Sequence, residues 1–462
     1  MKITRFMALA AVTLLLFACE KEEVFMNGSL ENATMKSKSA ASGGNSYLVI
    51  ANSNKLPNNL MNDLASANGT LTSAISQVGI AVVSSDDPEF VSKASKIKGV
   101  QSVVPNLTEQ WLDPNEKSVS FVADNGNPPS IGDDEQFFGY LWGLDAIDAP
   151  EAWNEGYKGA GVRVAVLDGG FYLDQPDLAP NINLELSMNF VDDEVLQFIP
   201  TEEIGLFSHG SHVAGTIAAA ANGIGIIGVA PEAELVLLKV LGDSGSGNFG
   251  DLIEAIIYAA DNEADVINMS LSGAWLKRFG SGYAALTNAV NRATTYAYQK
   301  GTTVIAAAGN NGWDRDHFFG DLVVSPADGP NVISVSATAP YGWILDFSTN
   351  LDVPASYTNF GQSAIDFAAP GGDFDYPAFP IYLYDMILSS GGANGWYFAA
   401  GTSMASPHVA GVAALIISKN GGSMKPAQVE AALRASADDL GKPGNDDYYG
   451  AGRVNAHKAV TR

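Results

Sequence analysis

Five short apolar runs constrain the fold of this chain more strongly than any other feature of its sequence. They cover residues 162–167, 235–240, 266–269, 304–308 and 332–337. Each run is mostly apolar rather than alternating, which indicates strands that are buried on both faces. Segments of helical character separate the runs. This alternation predicts an α/β fold with a doubly wound parallel sheet that is covered by helices on both faces.

Two of the runs lead into side chains that could do chemistry. Asp168 follows the first run and precedes two glycines, and Asn310 follows the run at 304–308 after Gly309. Ligands of parallel sheets bind beyond the carboxyl ends of the strands, so both side chains are candidate site residues. An aspartate before glycines is also a common turn, which leaves a structural role open for Asp168.

Two histidines, His209 and His212, open an alanine-rich segment that is predicted to be helical. Such a pair could supply a general base or bind zinc. Zinc-binding helices with nearby histidines also carry a glutamate at a fixed spacing, and this stretch has none. The whole chain contains only 5 histidines. Zinc therefore remains an alternative without further support.

A run of small residues at 401–411 brings Ser403 to the start of a segment that is predicted to be helical as far as Lys419. The small neighbours allow close approach by a substrate backbone, and the amides of a first helical turn can help to hold an anion. Many buried helices begin in the same way. On these residues alone, Ser403 could be a nucleophile or a core residue.

Together these four segments resemble the signature blocks of the subtilisin family of serine proteases, in which the catalytic residues follow the chain order Asp, His, Ser. The resemblance extends over residues 142–460 and implies a subtilisin-like fold. It implies that Ser403 attacks the scissile carbonyl, that His209 takes and returns the proton, and that Asp168 orients the imidazole. It also implies that Asn310 and the Ser403 amide hold the oxyanion, without any catalytic cofactor.

The same resemblance assigns two segments to the edges between which an extended peptide binds as an added strand. These edges consist of Gly245, Ser246 and Gly247 on one side and Ser270, Leu271 and Ser272 on the other. Ordinary loops would have a similar composition. Gly309 is a further substrate-binding position, and Val324 falls where some family members have glycine. Val324 therefore predicts a shallow first pocket that prefers small or medium side chains.

The family resemblance further implies a possible structural calcium ion. Its side-chain ligands would be Asp177 and Asn222, and its remaining ligands would be the backbone carbonyls of Ala220, Ile224 and Ile226. Mixed carboxylate, amide and carbonyl oxygens are the ligands that a hard cation such as calcium accepts.

A smaller α+β domain is predicted at residues 46–112. Its order of strand, helix, strand, strand, helix and strand is typical of ferredoxin-like domains. Its position before the protease segment resembles the inhibitory propeptide of the family. Residues 113–137 collect Asp, Asn, Gly and Pro, so we predict an exposed linker that contains the processing site. The catalytic domain would then cover 138–462.

The first residues have the pattern of an export signal. A basic start is followed by an apolar run that is too short to span a bilayer and then by Cys19, the only cysteine. This resembles a bacterial lipoprotein signal peptide at 1–18, with lipidation of Cys19 and a flexible tether at 19–45. The resemblance implies an exported lipoprotein at the outer membrane or cell surface. An ordinary secretory signal is the alternative.

The net charge of −26 disfavours nucleic acid as a partner, because it would repel phosphate backbones.

From the motifs together, we predict a monomeric, lipid-anchored serine endopeptidase that is made as a self-processed zymogen, with polypeptides and its own propeptide as partners. A non-catalytic surface-binding lipoprotein with the same fold is one alternative. A lipase or esterase is another, although the chain lacks the Gly-x-Ser-x-Gly pattern around Ser403.

Overall fold

The computed structural model describes residues 45–114, 116–121, 135–276, 281–317 and 322–462. All of them belong to one compact unit. The predicted signal peptide, Cys19, nearly all of the tether and residues 122–134 of the linker lie outside the described residues. Among the helices that are described, none combines the length and the apolar composition that crossing a bilayer requires.

The amino-terminal part forms a four-stranded antiparallel sheet in the order β2-β3-β1-β4, with two helices. Its elements are β1 (Asn45–Ala51), α1 (Leu60–Ser66), β2 (Thr70–Ile75), β3 (Ile80–Ser85), α2 (Phe90–Ala94) and β4 (Val100–Pro105). Leu64 and Phe90 of the two helices are fully buried in a small core of their own. This order of elements and of strands is typical of a ferredoxin-like domain.

The segment that follows is more regular than the linker that the sequence predicts. Residues Thr108–Gln110 form β5, and residues Lys117–Phe121 form β6, which pairs antiparallel with a strand near Ser403. The prediction of a linker was therefore wrong for 117–121. The physical reason for the difference is a tertiary contact, because β6 pairs with a strand far along the chain. A composition rich in turn-forming residues does not reveal such a partner.

The second part of the chain alternates strands with helices. Its elements up to the centre are α3 (Trp142–Ala146), α4 (Ala149–Asn154), β7 (Arg163–Asp168), β8 (Met188–Asn189), α5 (His209–Ala218), β9 (Glu234–Lys239), β10 (Ser246–Asn248), α6 (Phe249–Asp261), β11 (Val266–Met269), β12 (Gly273–Leu276), α7 (Ser281–Lys300) and β13 (Thr303–Ala307). The remaining elements are β14 (Leu322–Ser325), β15 (Val332–Ala339), β16 (Val353–Pro354), β17 (Phe367–Pro370), β18 (Ile387–Gly392), β19 (Gly395–Ala400), α8 (Thr402–Lys419), α9 (Pro426–Ser436) and α10 (Ala456–Thr461).

The main sheet has the order β16-β15-β13-β11-β7-β9-β8, with β17 paired to β15. Its pairs are parallel except that between β15 and β16. The predicted α/β class with a parallel sheet is confirmed. Because β7, β11 and β13 run in the same direction, their carboxyl ends meet at one edge of the sheet.

Helix α8 is the central helix of the core. Every residue from Thr402 to Ile417 is buried, and the helix packs against β11, β13 and β15. Burial of each large aliphatic side chain contributes roughly 1.5–3 kcal/mol, so this helix is fixed firmly on the sheet. Its first turn lies beside the strand ends that carry the other candidate residues, as the contacts below show.

Candidate active site

Asp168 and His209 form a buried pair. Asp168 is the last residue of β7 and is fully buried, and His209 is the first residue of α5. The Nδ1 atom of His209 lies 2.8 Å from Asp168 Oδ1 and 3.0 Å from Oδ2. The Gly169 amide donates to Asp168 Oδ1 at 2.7 Å. Because an ionised carboxylate only accepts hydrogen bonds, Nδ1 carries a proton and donates it to Asp168.

The start of α5 is fixed by a cap. The side chain of Ser208 accepts a hydrogen bond from the Ser211 amide at 3.1 Å and donates to the Gly170 carbonyl at 2.7 Å. A serine cap of this kind stabilises a helix start by about 1 kcal/mol. It also ties the helix that carries His209 to the loop that follows Asp168.

Ser403 is the second residue of α8 and is only 5% exposed. Its hydroxyl donates to the Ser270 carbonyl at 3.2 Å, and the Ser270 hydroxyl donates back to the Ser403 carbonyl at 2.7 Å. Pro407 has no amide to bond that carbonyl within the helix. Ser270 therefore replaces the missing helical hydrogen bond and holds the first turn of α8 against the strand edge.

Asn310 lies just after β13 and faces the same helix start. Its Oδ1 atom accepts from the amide of Thr402 at 2.9 Å and from the hydroxyl of Thr402 at 2.7 Å. These two bonds fix the side chain and leave Nδ2 as its donor. A β-carbon at Gly401 would lie 3.4 Å from that Nδ2 atom, so Gly401 borders the donor closely.

The two predicted peptide edges hold a part of the chain itself. Strand β10 pairs antiparallel with β5, and the Trp111 amide donates to the Gly245 carbonyl at 3.1 Å. On the other side, the Ser272 amide donates to the Trp111 carbonyl at 3.1 Å. The indole of Trp111 is 2% exposed and packs edge-on against Phe249. Strand β5 therefore pairs with one edge, and Trp111 lies between the two.

Val324 and Gly309, which the sequence predicts to border the first pocket, both lie in crowded surroundings. Val324 is 1% exposed and lies opposite Ala274 in the pairing of β14 with β12. Gly309 has a φ of +94°, and a β-carbon there would lie 2.6 Å from Asn359 Nδ2. A side chain at this position would be strained as well as crowded. The preference for small or medium substrate side chains stays a prediction.

Glu116 is a site residue that sequence reasoning missed. Its side chain is 6% exposed, and its Oε1 atom lies 3.5 Å from His209 Nε2. Burial alone would lower the pKa of His209, but the carboxylates of Asp168 and Glu116 raise it to about 10. His209 is therefore an imidazolium in this form of the chain. Nothing in the composition distinguishes Glu116 from the other acidic residues. The sequence around it shows only residues that are typical of turns.

His212 has a structural role. It is fully buried, and its Nε2 atom lies 3.1 Å from the Ile387 carbonyl and 3.0 Å from the Tyr397 carbonyl. Carbonyls only accept, so Nε2 carries the proton of a neutral ring. Burial, aided by His209, lowers the pKa of His212 to about 3.

Within the described part of the chain, no group of three or more His, Cys, Asp or Glu side chains could hold a metal ion.

The residues of the possible calcium site lie together. Asp177 is fully buried, and its Oδ2 atom accepts from the Trp396 indole at 2.6 Å and from the Ile226 amide at 3.1 Å. Its Oδ1 atom is buried and has no hydrogen-bond partner among the described residues. Burial raises the pKa of Asp177 to about 6. Asn222 lies beside it, donating to the Pro176 carbonyl at 3.1 Å. An orphaned carboxylate oxygen fits a hard cation.

Comparison with known proteins adds an independent line of observation. The model of the subtilase family matches residues 159–452. A thermophilic serine proteinase from Bacillus sp. (strain AK1) is 33% identical over 393 residues, which cover 84% of this chain and 83% of that protein. Subtilisin E from Bacillus subtilis (strain 168) is 38% identical over 319 residues, 69% of this chain and 71% of that protein.

Two solved structures share the fold. Fervidolysin from Fervidobacterium pennivorans, a keratinolytic enzyme related to subtilisin, has a TM-score of 0.69 at 25% identity and covers 92% of this chain and 62% of its own. The epidermin leader peptide processing serine protease from Staphylococcus aureus has a TM-score of 0.72 at 22% identity, with coverage of 91% and 98%. The second likeness concerns the fold alone.

Proposed function

The chain belongs to the subtilase family of serine proteases, and on this premise we propose that Asp168, His209 and Ser403 form its catalytic triad. The protein is a serine endopeptidase that acts on polypeptides. What carries the proposal is the buried pairing of Asp168 with His209 at 2.8 Å, at the sheet edge that also receives Ser403. Four segments that are distant in sequence supply an acid, a base, a nucleophile and an amide donor.

The reaction follows from these positions. Ser403 Oγ attacks the scissile carbonyl while neutral His209 takes its proton at Nε2 and later returns it to the leaving amine. Asp168 holds the imidazole in the required tautomer and stabilises the imidazolium. The Ser403 amide and Asn310 Nδ2 donate to the oxyanion, and Thr402 holds Asn310 in place for this. Water then attacks the acyl carbon while His209 takes its proton, and His209 returns that proton to Ser403 Oγ as the acid product leaves.

We further propose that residues 46–112 act as an inhibitory propeptide that is removed by cleavage within 113–137. The occupation of the peptide edges by residues 108–111 supports this role, because an occupied edge cannot take a substrate. A lipid anchor at Cys19 would hold the exported protein at the outer membrane or the cell surface. Loss of labelled palmitate in a Cys19→Ser variant would test the anchor, and unchanged labelling would contradict it.

The test of the catalytic proposal is covalent labelling. A serine-directed fluorophosphonate is expected to modify the processed protein once, and peptide mapping is expected to find the label on Ser403. Intact mass is expected to show that the wild type becomes shorter and that Ser403→Ala stays at full length. An unlabelled wild type, or normal shortening of the Ser403→Ala chain, would reject a self-processing serine protease.

The Asn310→Ala variant is expected to lose about 10²–10³-fold in kcat with little change in KM, the loss known for the corresponding donor in subtilisin. The oxyanion forms only after Ser403 attacks the carbonyl, so ground-state binding is not affected. Steady-state hydrolysis of one peptide by the processed enzyme measures both constants. Asn311→Ala, at the exposed neighbouring position, is the matched control and is expected to keep its kcat. A rise in KM at constant kcat would contradict the proposed role of Asn310.

We propose that Asp177 and Asn222, with carbonyls of Ala220, Ile224 and Ile226, hold a structural calcium ion. A ligand that binds only the folded state stabilises it, so millimolar calcium is expected to raise the Tm of the uncleaved Ser403→Ala chain by several degrees. Magnesium, which demands stricter octahedral geometry, is the control ion and is expected to do less. Asp177→Asn is expected to remove the calcium effect. A Tm that neither calcium nor chelator changes would exclude the site.

A further inference from the structure

Residues 108–114 and 116–121 border the candidate active site, and we call them the cleft segment. Its first part, β5, pairs antiparallel with β10 on one side of the site. Its last part, β6, pairs antiparallel with β19 on the other side, from Lys117 opposite Ala400 to Phe121 opposite Trp396. Strand β19 leads directly into Gly401 and the start of α8. The cleft segment is therefore fixed by strand pairing on both sides of Ser403.

Between its two strands, the cleft segment makes a turn instead of continuing as an extended chain. The Glu116 amide donates to the Asp113 carbonyl at 3.0 Å, which closes a turn that begins at Asp113 and contains Pro114. Proline fixes a backbone angle that turns of this kind need. The turn brings the side chain of Glu116, the residue before β6, to the catalytic residues.

The carboxylate of Glu116 occupies the space between the base and the oxyanion donor. Its Oε1 atom lies 3.5 Å from His209 Nε2. A β-carbon at Gly401 would lie 3.3 Å from Glu116 Cδ and 3.4 Å from Asn310 Nδ2, so the carboxyl group and the amide border the same small space. Both carboxylate oxygens are buried and have no hydrogen-bond partner among the described residues.

A buried carboxylate without hydrogen bonds is costly unless an opposite charge lies beside it. The titratable groups that face His209 are Asp168 on β7, Glu116 on the cleft segment and His212 on its own helix. His212 is neutral, because burial lowers its pKa to about 3. The imidazolium of His209 is therefore the cation that compensates Glu116.

Two other side chains, Tyr357 and Lys117, do not compensate the charge of Glu116. Burial raises the pKa of Tyr357 well above its ordinary value, and the carboxylates of Asp373 and Glu116 raise it further, so Tyr357 stays neutral. The side chain of Lys117 is exposed, and its ammonium lies over the ring of Phe374, 4.9 Å from the ring centroid. Neither group competes with His209 for the carboxylate.

We propose that Glu116 is an internal ligand of the active site, whose carboxylate binds protonated His209 and lowers the activity of the intact chain. The inference rests on the proposed triad. An imidazolium cannot accept the proton of Ser403, so the contact with Glu116 disables the general base. This effect adds to the blocking of the peptide edges by β5 and β6. Cleavage of the cleft segment would release the carboxylate and return His209 to its neutral form.

The test measures the titration of His209 by NMR in the uncleaved Ser403→Ala chain, with and without Glu116→Gln. The amide has nearly the same shape without the charge, so the pKa of His209 is expected to fall by about one unit or more, a tenfold change in its neutral fraction. Glu109→Gln is the matched control, because Glu109 lies on the same segment but accepts from the Tyr283 hydroxyl at 2.7 Å. It is expected to leave the titration unchanged.

A second measurement uses the chain with Ser403 intact. Glu116→Gln is expected to speed the first cleavage of the precursor about tenfold at neutral pH, because more of His209 is neutral. Glu116→Ala serves as a further variant if thermal unfolding shows that the glutamine variant does not fold. An unchanged His209 titration, or slower cleavage in a folded variant, would overturn the role of Glu116.

The two proposals fail in different ways. A wild type that reacts with fluorophosphonate while Glu116→Gln leaves the His209 titration unchanged would reject the ligand role and keep the protease. A wild type that never reacts, together with a lowered pKa of His209 in the glutamine variant, would keep the contact and reject the triad.

Discussion

Replacing Ser403 by alanine is expected to lower kcat for peptide hydrolysis by ~10⁶-fold, the loss known when the nucleophile of the related subtilisin is removed. The variant keeps the oxyanion donors and the binding edges, so a small rate above that of water is expected to remain. Binding is expected to be little affected, because Ser403 contributes no large contact surface. The main change is therefore in kcat rather than in KM.

The measurement has to compare processed chains, because Ser403→Ala cannot cut its own cleft segment. Added wild-type enzyme can process the variant, and it is then removed and inactivated with fluorophosphonate before the assay. Ser418→Ala is the matched control, because Ser418 lies on the same helix and donates only to the Ala160 carbonyl at 2.9 Å. It is expected to keep full activity. Retention of one per cent or more of the activity, roughly 10⁴ above expectation, would exclude Ser403 as the nucleophile.

The positions of the candidate residues could be predicted because they depend on short-range patterns and one topological rule. The apolar run that became β7 ends at Asp168, and the run that became β13 leads to Asn310. Parallel strands bring their carboxyl ends to one edge, which groups Asp168 with Asn310. The chain order of the subtilisin-like motifs adds His209 and Ser403 to this pair. Neither pattern depends on knowing which strands are neighbours.

The occupation of the site could not be predicted, because it depends on pairing between distant segments. Strand β6 has a short, mostly polar sequence, and its partner β19 lies far along the chain. Hydrophobic pattern and strand propensity describe one segment at a time. Strand β6, in contrast, forms by pairing with the edge of β19 beside Ser403. Glu116 became recognisable only when that pairing brought its carboxylate to His209.

Asp168→Asn is expected to lower kcat by about 10⁴-fold in the processed enzyme. Asparagine can take the place of the aspartate, but its amide group donates to Nδ1 of His209 instead of accepting from it. The ring proton then moves to Nε2, where it prevents the ring from accepting the proton of Ser403. The Gly169 amide, which donates to Asp168 Oδ1 at 2.7 Å, is expected to hold the new side chain in the same position.

The pH profile separates this electrostatic role from a loss of structure. Burial alone lowers the pKa of His209, and the carboxylate of Asp168 is the strongest influence that raises it. Activity requires neutral His209, so removal of that charge is expected to shift the acid limb of kcat/KM to lower pH while the plateau falls. Asp174→Asn, at an exposed position nearby, is the matched control and is expected to change neither. A reduced plateau with an unmoved acid limb would indicate damage to the fold rather than loss of the charge that supports His209.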